Sequence, residues 1–300
     1  MTVRLGTRGS LLARTQASTV AAALEAATGV ACELVAIRSE GDDHSVPLDG
    51  PSRPGAFVAT LRDALLEGRV DLVVHSFKDL PSAPQPGLVV AAIPERAPAH
   101  DVLVSADGAG LGSLRPGASV GTSSPRRAAA LLRARPDLQI LPIRGNVDTR
   151  LGLVDSGRVD AVVLAAAGLQ RVGRLTDAMA SLGSEVMVPA PAQGALAVEC
   201  RSGHDLESAL ATLDHAATRC AVTAERAVLA GVAATCATAV GAYATWSGEV
   251  LELVAELSAH RGIGYSRRYA ATTLTDPRDE EAARDLGLAV AEALLDEEVI

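Results

Sequence analysis

The sequence predicts an α/β protein with two similar lobes, followed by a small α+β domain. Short runs of β-branched residues alternate with helical stretches over the first two-thirds of the chain, and the alternation restarts after about residue 100. Strands that are apolar along their whole length are typical of parallel sheets covered by helices on both faces. The tail has a different order, in which strands follow one another before a final helix, as in α+β domains.

The first lobe is predicted from four apolar runs and two helical stretches. The Gly-, Pro- and Asp-rich residues 40–55 between them predict a loop. The predicted strands are residues 3–6, 32–37, 70–75 and 88–93, and the predicted helices are residues 11–27 and 57–66.

The second lobe repeats this pattern, with strands at residues 102–104, 118–121, 138–143 and 161–164 and helices at residues 125–134 and 147–154. The tail predicts a helix at residues 218–232, a hairpin over residues 240–257 that turns at residues 246–249, and a third strand at residues 265–274. Asp276-Pro277 then predicts the opening of a helix that runs to about residue 295, with acidic residues near its positive end.

The charge balance excludes some classes of partner. The formal net charge is −9, and aromatic residues make up 2% of the chain. Domains that bind nucleic acid usually carry a basic footprint, and single-strand binding uses aromatic stacking, so no nucleic-acid partner is expected. Lys78 is the one lysine, and all other basic residues are arginines. A basic site in this chain is therefore an arginine site, whose planar donors suit carboxylates and phosphates.

The sequence predicts neither a membrane span nor a metal site. Residues 227–246 carry no charge but are dominated by small residues, and the first 16 residues lack the apolar core of a signal peptide. None of the four cysteines forms a C-x-x-C pair, and the six histidines are scattered. We therefore expect a cytoplasmic protein with free thiols.

Three predicted strand-to-helix junctions carry hydroxyls and arginines, at residues 7–10, 121–127 and 144–150. Ligands of open α/β sheets bind beyond the carboxyl ends of the strands, where helix N-termini offer unpaired N–H groups and partial positive charge. At any single junction, helix caps and solvated arginines are the simpler interpretation, and Ser124 before Pro125 is a natural cap. Three such junctions together favour a ligand that carries several negative charges.

A fourth junction, at residues 75–81, contains Lys78 and Asp79 directly after a buried strand. An acid in this position acts as a general acid or base, or stabilises a developing cation. A surface Lys–Asp pair explains the same residues equally well. Cys236 also has two interpretations. Small neighbours leave its sulfur approachable, which favours a reactive thiol, but most free cysteines act as small hydrophobic residues. The other cysteines are predicted as core thiols: Cys32, Cys200 and Cys220.

Seven segments, taken together, resemble the porphobilinogen deaminase (hydroxymethylbilane synthase) family in order and approximate spacing: GTRGS, VHSFKDLP, VGTSSPRR, IRGNVDTR, LAAAGLQRVGR, PAPAQGALAVECR and VTAERAVL. The resemblance implies two periplasmic-binding-protein-like α/β lobes and a small α+β C-terminal domain that carries a cofactor cysteine. The implied bounds are residues 1–95 with 195–211 for the first lobe, 99–188 for the second lobe and 216–300 for the last domain.

The resemblance also implies an activity, in which four porphobilinogen molecules are joined head to tail with release of ammonia, and hydrolysis then yields hydroxymethylbilane. The primer is a dipyrromethane held by a thioether bond, and Cys236 matches its attachment site. Asp79 matches the catalytic aspartate, which stabilises the electron-poor azafulvenium left by ammonia. The residues that match cofactor-binding positions are Lys78, Thr122, Ser123, Ser124, Arg126, Arg127, Arg144 and Gly145. The residues that match substrate-binding positions are Arg8, Ser10, Arg150, Arg171 and Gln193.

The implied partner is thus a small molecule, porphobilinogen, and we expect a monomer that binds neither nucleic acid nor a membrane. Residues 47–56 depart from the family, since many members carry lysines there and this chain has Arg53. A non-catalytic two-lobed receptor for an oxyanion or carboxylate is the main alternative, and the third domain with its cysteine disfavours it. A phosphoryl-transfer enzyme is disfavoured because the chain has no G-x-x-x-x-G-K-[ST] loop.

Overall fold

A computed structural model describes residues 2–37, 56–234, 238–258 and 264–296, with backbone alone at residues 56 and 57. The chain forms two compact units, Met1–Ala97 with Ala195–Arg219 and Pro98–Gly194 with Cys220–Ile300. In the described residues the strands are β1 (Val3–Thr7), β2 (Cys32–Ala36), β3 (Leu72–Ser76), β4 (Leu88–Ala92), β5 (Asp101–Ser105), β6 (Ser119–Gly121), β7 (Gln139–Leu141), β8 (Ala161–Ala165), β9 (Ala180–Leu182), β10 (Leu196–Arg201), β11 (Ala239–Ser247), β12 (Val250–Ser258) and β13 (Tyr265–Thr273). The helices are α1 (Leu11–Thr28), α2 (Ala56–Leu66), α3 (Pro125–Ala134), α4 (Val147–Asp155), α5 (Ala166–Arg171), α6 (Glu207–Ala211), α7 (Ala216–Gly231) and α8 (Glu280–Leu295).

The first unit is built on a five-stranded sheet in the order β2-β1-β3-β10-β4. Its central strands β1 and β3 are buried on both faces, as predicted, whereas β2 at the edge of the sheet is partly exposed. Leu5 and Leu72 pack with Leu24 of α1 on one face, and Val73 packs with Leu65 of α2 on the other. The parallel pairs β1–β2 and β1–β3 bring the carboxyl ends of β1 and β3 to the same edge.

The second unit contains another five-stranded sheet, in the order β7-β6-β8-β5-β9, and a three-stranded antiparallel sheet, β11-β12-β13. In the five-stranded sheet, Val163 packs with Leu131 of α3 on one face, and Val162 packs with Val154 of α4 on the other. The three-stranded sheet is covered by α7 and α8 around a shared apolar core. The predicted fold class, two α/β sheets and a small α+β domain, is confirmed by this strand order.

The prediction of parallel sheets is only partly confirmed, because both five-stranded sheets are mixed. β10 runs antiparallel to β3 and β4, and β5 runs antiparallel to β8 and β9. A continuous apolar run shows that both faces of a strand are covered, but it contains no information about strand direction.

Two further expectations are corrected, and some short elements were missed. The final helix begins at Glu280 and not at Asp276-Pro277, because the side chain of Asp279 caps it by accepting a hydrogen bond from Ala282 N at 3.0 Å. Cys32 is half-buried and not a core thiol, since β2 lies at the edge of its sheet. The short elements β9, α5 and α6 were missed by the sequence pattern. The predicted loop at residues 40–55, with Arg53, lies outside the described residues.

None of the helices described by the structure combines the length and apolar composition that crossing a membrane requires. Within the same described residues, no three His, Cys, Asp or Glu side chains gather as metal ligands.

Candidate functional site

The first predicted junction joins β1 to α1. Ser10 caps α1 by accepting a hydrogen bond from Ala13 N at 3.3 Å. Arg8, at the carboxyl end of β1, is half-buried. Further along the buried face of α1, Gln16 donates to Ser76 Oγ at 2.9 Å. This bond ties α1 to the end of β3, so that the first and fourth junctions lie side by side.

The fourth junction follows β3 as one turn of 3-10 helix, Phe77–Asp79. Phe77 is buried and its backbone N–H donates to the carbonyl of Ala195 at 3.0 Å, which anchors the turn. Lys78 is half-buried, whereas Asp79 is exposed. Among the residues that the structure describes, the Asp79 carboxylate has no hydrogen-bond donor or cation as a partner. It is therefore free to meet a ligand, as a general acid or base must.

A buried acid lies beside β3, the strand that leads into this turn. Glu199 of β10 accepts two hydrogen bonds from Arg62, from Nε at 3.0 Å and from Nη2 at 2.7 Å. His75, the residue before Ser76, places Nε2 at 3.1 Å from Glu199 Oε2. Burial opposes ionisation of this carboxyl, but the contacts with His75 and Arg62 outweigh it and lower the pKa of Glu199 to about 2.

The second junction joins β6 to α3 and has the predicted cap. Ser124 accepts a hydrogen bond from Arg127 N at 3.4 Å, with Pro125 at the start of the helix. Ser123 uses its hydroxyl to donate to the Ile143 carbonyl at 2.6 Å and to accept from Ile143 N at 2.9 Å. Thr122 is buried and accepts from Ser124 N at 3.2 Å. These hydroxyls therefore fix the ends of β6 and of the strand beside it.

Arg126 and Arg127 are buried and share one carboxylate. Arg126 Nη2 donates to Asp101 Oδ2 at 2.7 Å, and Arg127 Nη2 donates to Asp101 Oδ1 at 2.7 Å. Each arginine also donates to a backbone carbonyl, Arg126 to Val188 and Arg127 to Val163. The planar guanidinium groups are thus held in fixed orientations. The alternative from the sequence, that these arginines are solvated surface side chains, is wrong for both.

The third junction begins at Gly145, whose φ of +107° favours glycine. A Cβ at this position would lie 2.6 Å from Thr149 Cγ2. Asn146 caps α4 by accepting from Thr149 N at 2.8 Å. Arg150 folds back over the turn, with Nε donating to the Gly145 carbonyl at 2.9 Å, and Arg144 is exposed.

Two half-buried arginines of the second unit have no carboxylate partner among the described residues. Arg150 donates to the Gly145 carbonyl, and Arg171 donates to the Gly194 carbonyl at 2.6 Å. Burial lowers the pKa of Arg171 to about 10; burial and the nearby charge of Arg127 lower the pKa of Arg150. Desolvated guanidinium groups without an anion gain stability when a carboxylate binds. This part of the molecule is therefore suited to an anionic ligand.

Gln193 is 1% exposed and its Nε2 donates to the Ala99 carbonyl at 2.6 Å and to Asp101 Oδ1 at 3.0 Å. The sequence predicted Gln193 but missed three buried groups that support the predicted residues: Gln16, Asp101 and Glu199. Glu199 lies in a segment quoted for the resemblance, PAPAQGALAVECR, and an acid inside an apolar strand was the available signal. Cys236 lies outside the described residues.

Residues 3–208 match the family model described as "Porphobilinogen deaminase, dipyromethane cofactor binding domain", and residues 219–296 match "Porphobilinogen deaminase, C-terminal domain". A porphobilinogen deaminase of Leifsonia xyli subsp. xyli is 50% identical over 98% of this chain and 92% of its own length. A porphobilinogen deaminase of Thermobifida fusca is 49% identical over 98% of this chain and 93% of its own length.

Solved structures show a weaker likeness. A periplasmic substrate-binding protein of an ABC transporter from Coxiella burnetii, 16% identical, overlaps 70% of this chain and 91% of its own with a TM-score of 0.44. The periplasmic VFT2 domain of Bordetella pertussis BvgS, 17% identical, overlaps 71% of this chain and 86% of its own with a TM-score of 0.41. The two family models and the near-full-length relatives agree, and the chain belongs to the porphobilinogen deaminase family.

Proposed function

We propose that this chain is a hydroxymethylbilane synthase, a transferase that joins four porphobilinogen molecules head to tail on a dipyrromethane primer. Each addition releases ammonia, and hydrolysis then frees the linear tetrapyrrole hydroxymethylbilane. One structural observation supports the proposal independently of family membership. Arg126 and Arg127 share one carboxylate, Asp101, and the half-buried Arg150, which feels the charge of Arg127, has no carboxylate partner among the described residues. Each pyrrole of the growing chain carries an acetate and a propionate, and these are anions that such guanidinium groups bind.

The residues present fit a dipyrromethane. When bound, this group supplies the pyrrole carbon to which the next ring is joined. Arginine donors match its carboxylates, and the half-buried guanidinium of Arg150, without a carboxylate partner in the described chain, supports this match. We propose that Cys236 forms the thioether, and that the following residues hold the group: Lys78, Thr122, Ser123, Ser124, Arg126, Arg127, Arg144 and Gly145.

We propose Asp79 as the catalytic residue. Its exposed carboxylate stands on a turn that is anchored by buried Phe77 and tied through Ser76 to α1. A carboxylate there stabilises positive charge as ammonia leaves porphobilinogen, and it holds or moves the proton of the leaving amine and of the newly joined ring. The incoming ring and growing chain are assigned to Arg8, Ser10, Arg150 and Arg171, and to Gln193 through its hydrogen bond to Asp101, because the Gln193 side chain is buried.

The domain bounds are also proposed, as residues 1–95 with 195–211, 99–188 and 216–300. The three separate sheets, with β10 in the first, support them. We further propose a cytoplasmic monomer, because a thioether tether requires a reduced thiol and the cytosol keeps thiols reduced. Size-exclusion chromatography with light scattering tests the monomer.

The experiment that tests the function is the intact mass of the purified protein, compared with Cys236→Ala and the control Cys32→Ala. We expect wild type and Cys32→Ala to carry the additional mass of a dipyrromethane, and Cys236→Ala to carry none. Wild-type protein should release ammonia and form a linear tetrapyrrole from porphobilinogen. A wild-type protein that weighs only what its amino acids weigh, even after incubation with porphobilinogen, would refute the proposal.

A further inference from the structure

The segment VTAERAVL has no role in the function proposed so far, yet it contains a fully buried acid. Glu225 of α7 is 0% exposed. Its Oε2 accepts a hydrogen bond from Ala192 N at 2.6 Å, and its Oε1 accepts one from Ala244 N at 2.9 Å. A buried carboxylate that binds two backbone N–H groups fixes the loop and the strand that donate them.

The loop that Glu225 holds has a strained residue. Gln193 N donates to the Ala190 carbonyl at 2.9 Å across a turn with Pro191 and Ala192 at its centre. Ala192 has φ of +61°, a conformation in which a type II turn favours glycine. A residue with a side chain is strained in this region, and the conformation persists when the surroundings hold it. The hydrogen bond from Ala192 N to Glu225 is a contact that holds it.

The next residue connects this turn to the arginines. Gln193 Nε2 donates to Asp101 Oδ1 at 3.0 Å, beside the 2.7 Å bond from Arg127 Nη2 to the same oxygen. Asp101 Oδ2 receives Arg126 Nη2 at 2.7 Å. The groups from Glu225 through Gln193 to Asp101 are all buried, so each has few alternative positions.

The start of the loop is held in the same way. The Val188 carbonyl accepts from Arg126 Nη1 at 2.7 Å, and the Pro189 carbonyl accepts from Ala242 N at 3.0 Å. Gly241 permits this approach, because a Cβ there would lie 2.8 Å from the Val188 carbonyl oxygen. The loop at residues 188–193 is thus held between the arginine pair and the helix and strand of the C-terminal domain.

We propose that Glu225 is a positioning residue for the binding of pyrrole carboxylates. By holding Ala192 in its strained conformation, it places the Gln193 amide on Asp101, and Asp101 orients Arg126 and Arg127. The C-terminal domain thereby sets the orientation of the Arg126 and Arg127 guanidinium groups. The inference rests on the proposed function, since it assigns Arg126 and Arg127 to the carboxylates of the pyrrole chain.

The test measures loading of the primer, not turnover. Protein made by cell-free synthesis without porphobilinogen is incubated with increasing porphobilinogen, and intact mass gives the concentration for half-maximal loading. Glu225→Gln keeps the shape but presents an NH₂ group to one of the two N–H donors. Loss of a charged hydrogen bond predicts a rise of roughly ten- to hundredfold in that concentration. Glu280→Gln is the matched control, since Glu280 also contacts α7, at Thr223 Oγ1, and does not touch the loop.

Two further variants separate positioning from general support of the fold. Ala192→Gly removes the strain, so Glu225→Gln/Ala192→Gly should recover most of the lost loading. Gln193→Leu breaks the connection while Glu225 and the turn remain, and it should raise the loading concentration even if Glu225→Gln fails to fold. Wild-type loading by Glu225→Gln or by Gln193→Leu, or no recovery with Ala192→Gly, overturns the inference. A wild-type protein that takes up no pyrrole mass refutes the proposed function itself.

Discussion

Glu199→Gln tests the contribution of the buried acid beside β3 to stability. The expected change in folding free energy can be worked out from the structure. The pKa of Glu199 falls from an ordinary value of 4.5 to about 2 because the contacts with His75 and Arg62 outweigh the opposing effect of burial. The Glu199 side chain is 3% exposed, so solvent screens these contacts little. At 1.36 kcal/mol for each pKa unit, the shift corresponds to roughly 3 kcal/mol of folding free energy.

The sign of the pH dependence follows from the same shift. The unfolded chain takes up a proton on Glu199 near pH 4.5, whereas the folded chain does so only near pH 2. The stabilisation is therefore complete above about pH 5 and is lost as the pH falls toward 2. At pH 7 the variant leaves the guanidinium of Arg62 buried without its counter-ion. Removing one partner of a buried ion pair costs about 3–5 kcal/mol of folding free energy.

The assay is urea unfolding of wild type and Glu199→Gln at pH 7 and at pH 3. The difference in unfolding free energy should be about 3 kcal/mol or more at pH 7 and should shrink at pH 3. Glu67→Gln is the control, because Glu67 pairs with Arg69 in an exposed ion pair that contributes at most about 1 kcal/mol. An equal difference at both pH values, or one no larger than that of Glu67→Gln, would show that the Glu199 contacts do not stabilise the fold in this way.

Three further predictions concern the site. Asp79→Asn should lower turnover about a hundred- to ten-thousandfold while the pyrrole mass stays attached, as measured by ammonia release and intact mass; near-normal turnover would remove Asp79 from catalysis. Gly145→Ala should destabilise the protein by about 1–3 kcal/mol in urea because of its positive φ, whereas Gly152→Ala, with open space in the same region, should stabilise it by about 0.5–1 kcal/mol; equal effects would contradict the strain argument. Arg150→Leu should raise KM for porphobilinogen on the order of tenfold through loss of a charged contact, and the exposed Arg158→Leu should not; equal KM values would contradict the assignment.

Features that depend on neighbouring residues could be predicted from the sequence. Ser124 with Pro125 specifies where α3 begins, and Asn146 does the same for α4, because a cap bonds to backbone only two or three residues away. Apolar runs identified most strands, since both faces of each sheet are covered. The order of the seven segments identified the family, and with it the proposed site residues.

Tertiary structure alone decided how distant segments pair. The resemblance implied that residues 195–211 belong with the first lobe, but it gave neither the position of β10 between β3 and β4 nor its antiparallel direction, and more than a hundred residues separate these strands. The carboxylates that fix the site also come from far along the chain: Arg62 meets Glu199 at a separation of 137 residues, and Ala192 meets Glu225 at a separation of 33. A buried carboxylate selects its partner by where the folded chain brings donors together, and no periodicity or local spacing records that position.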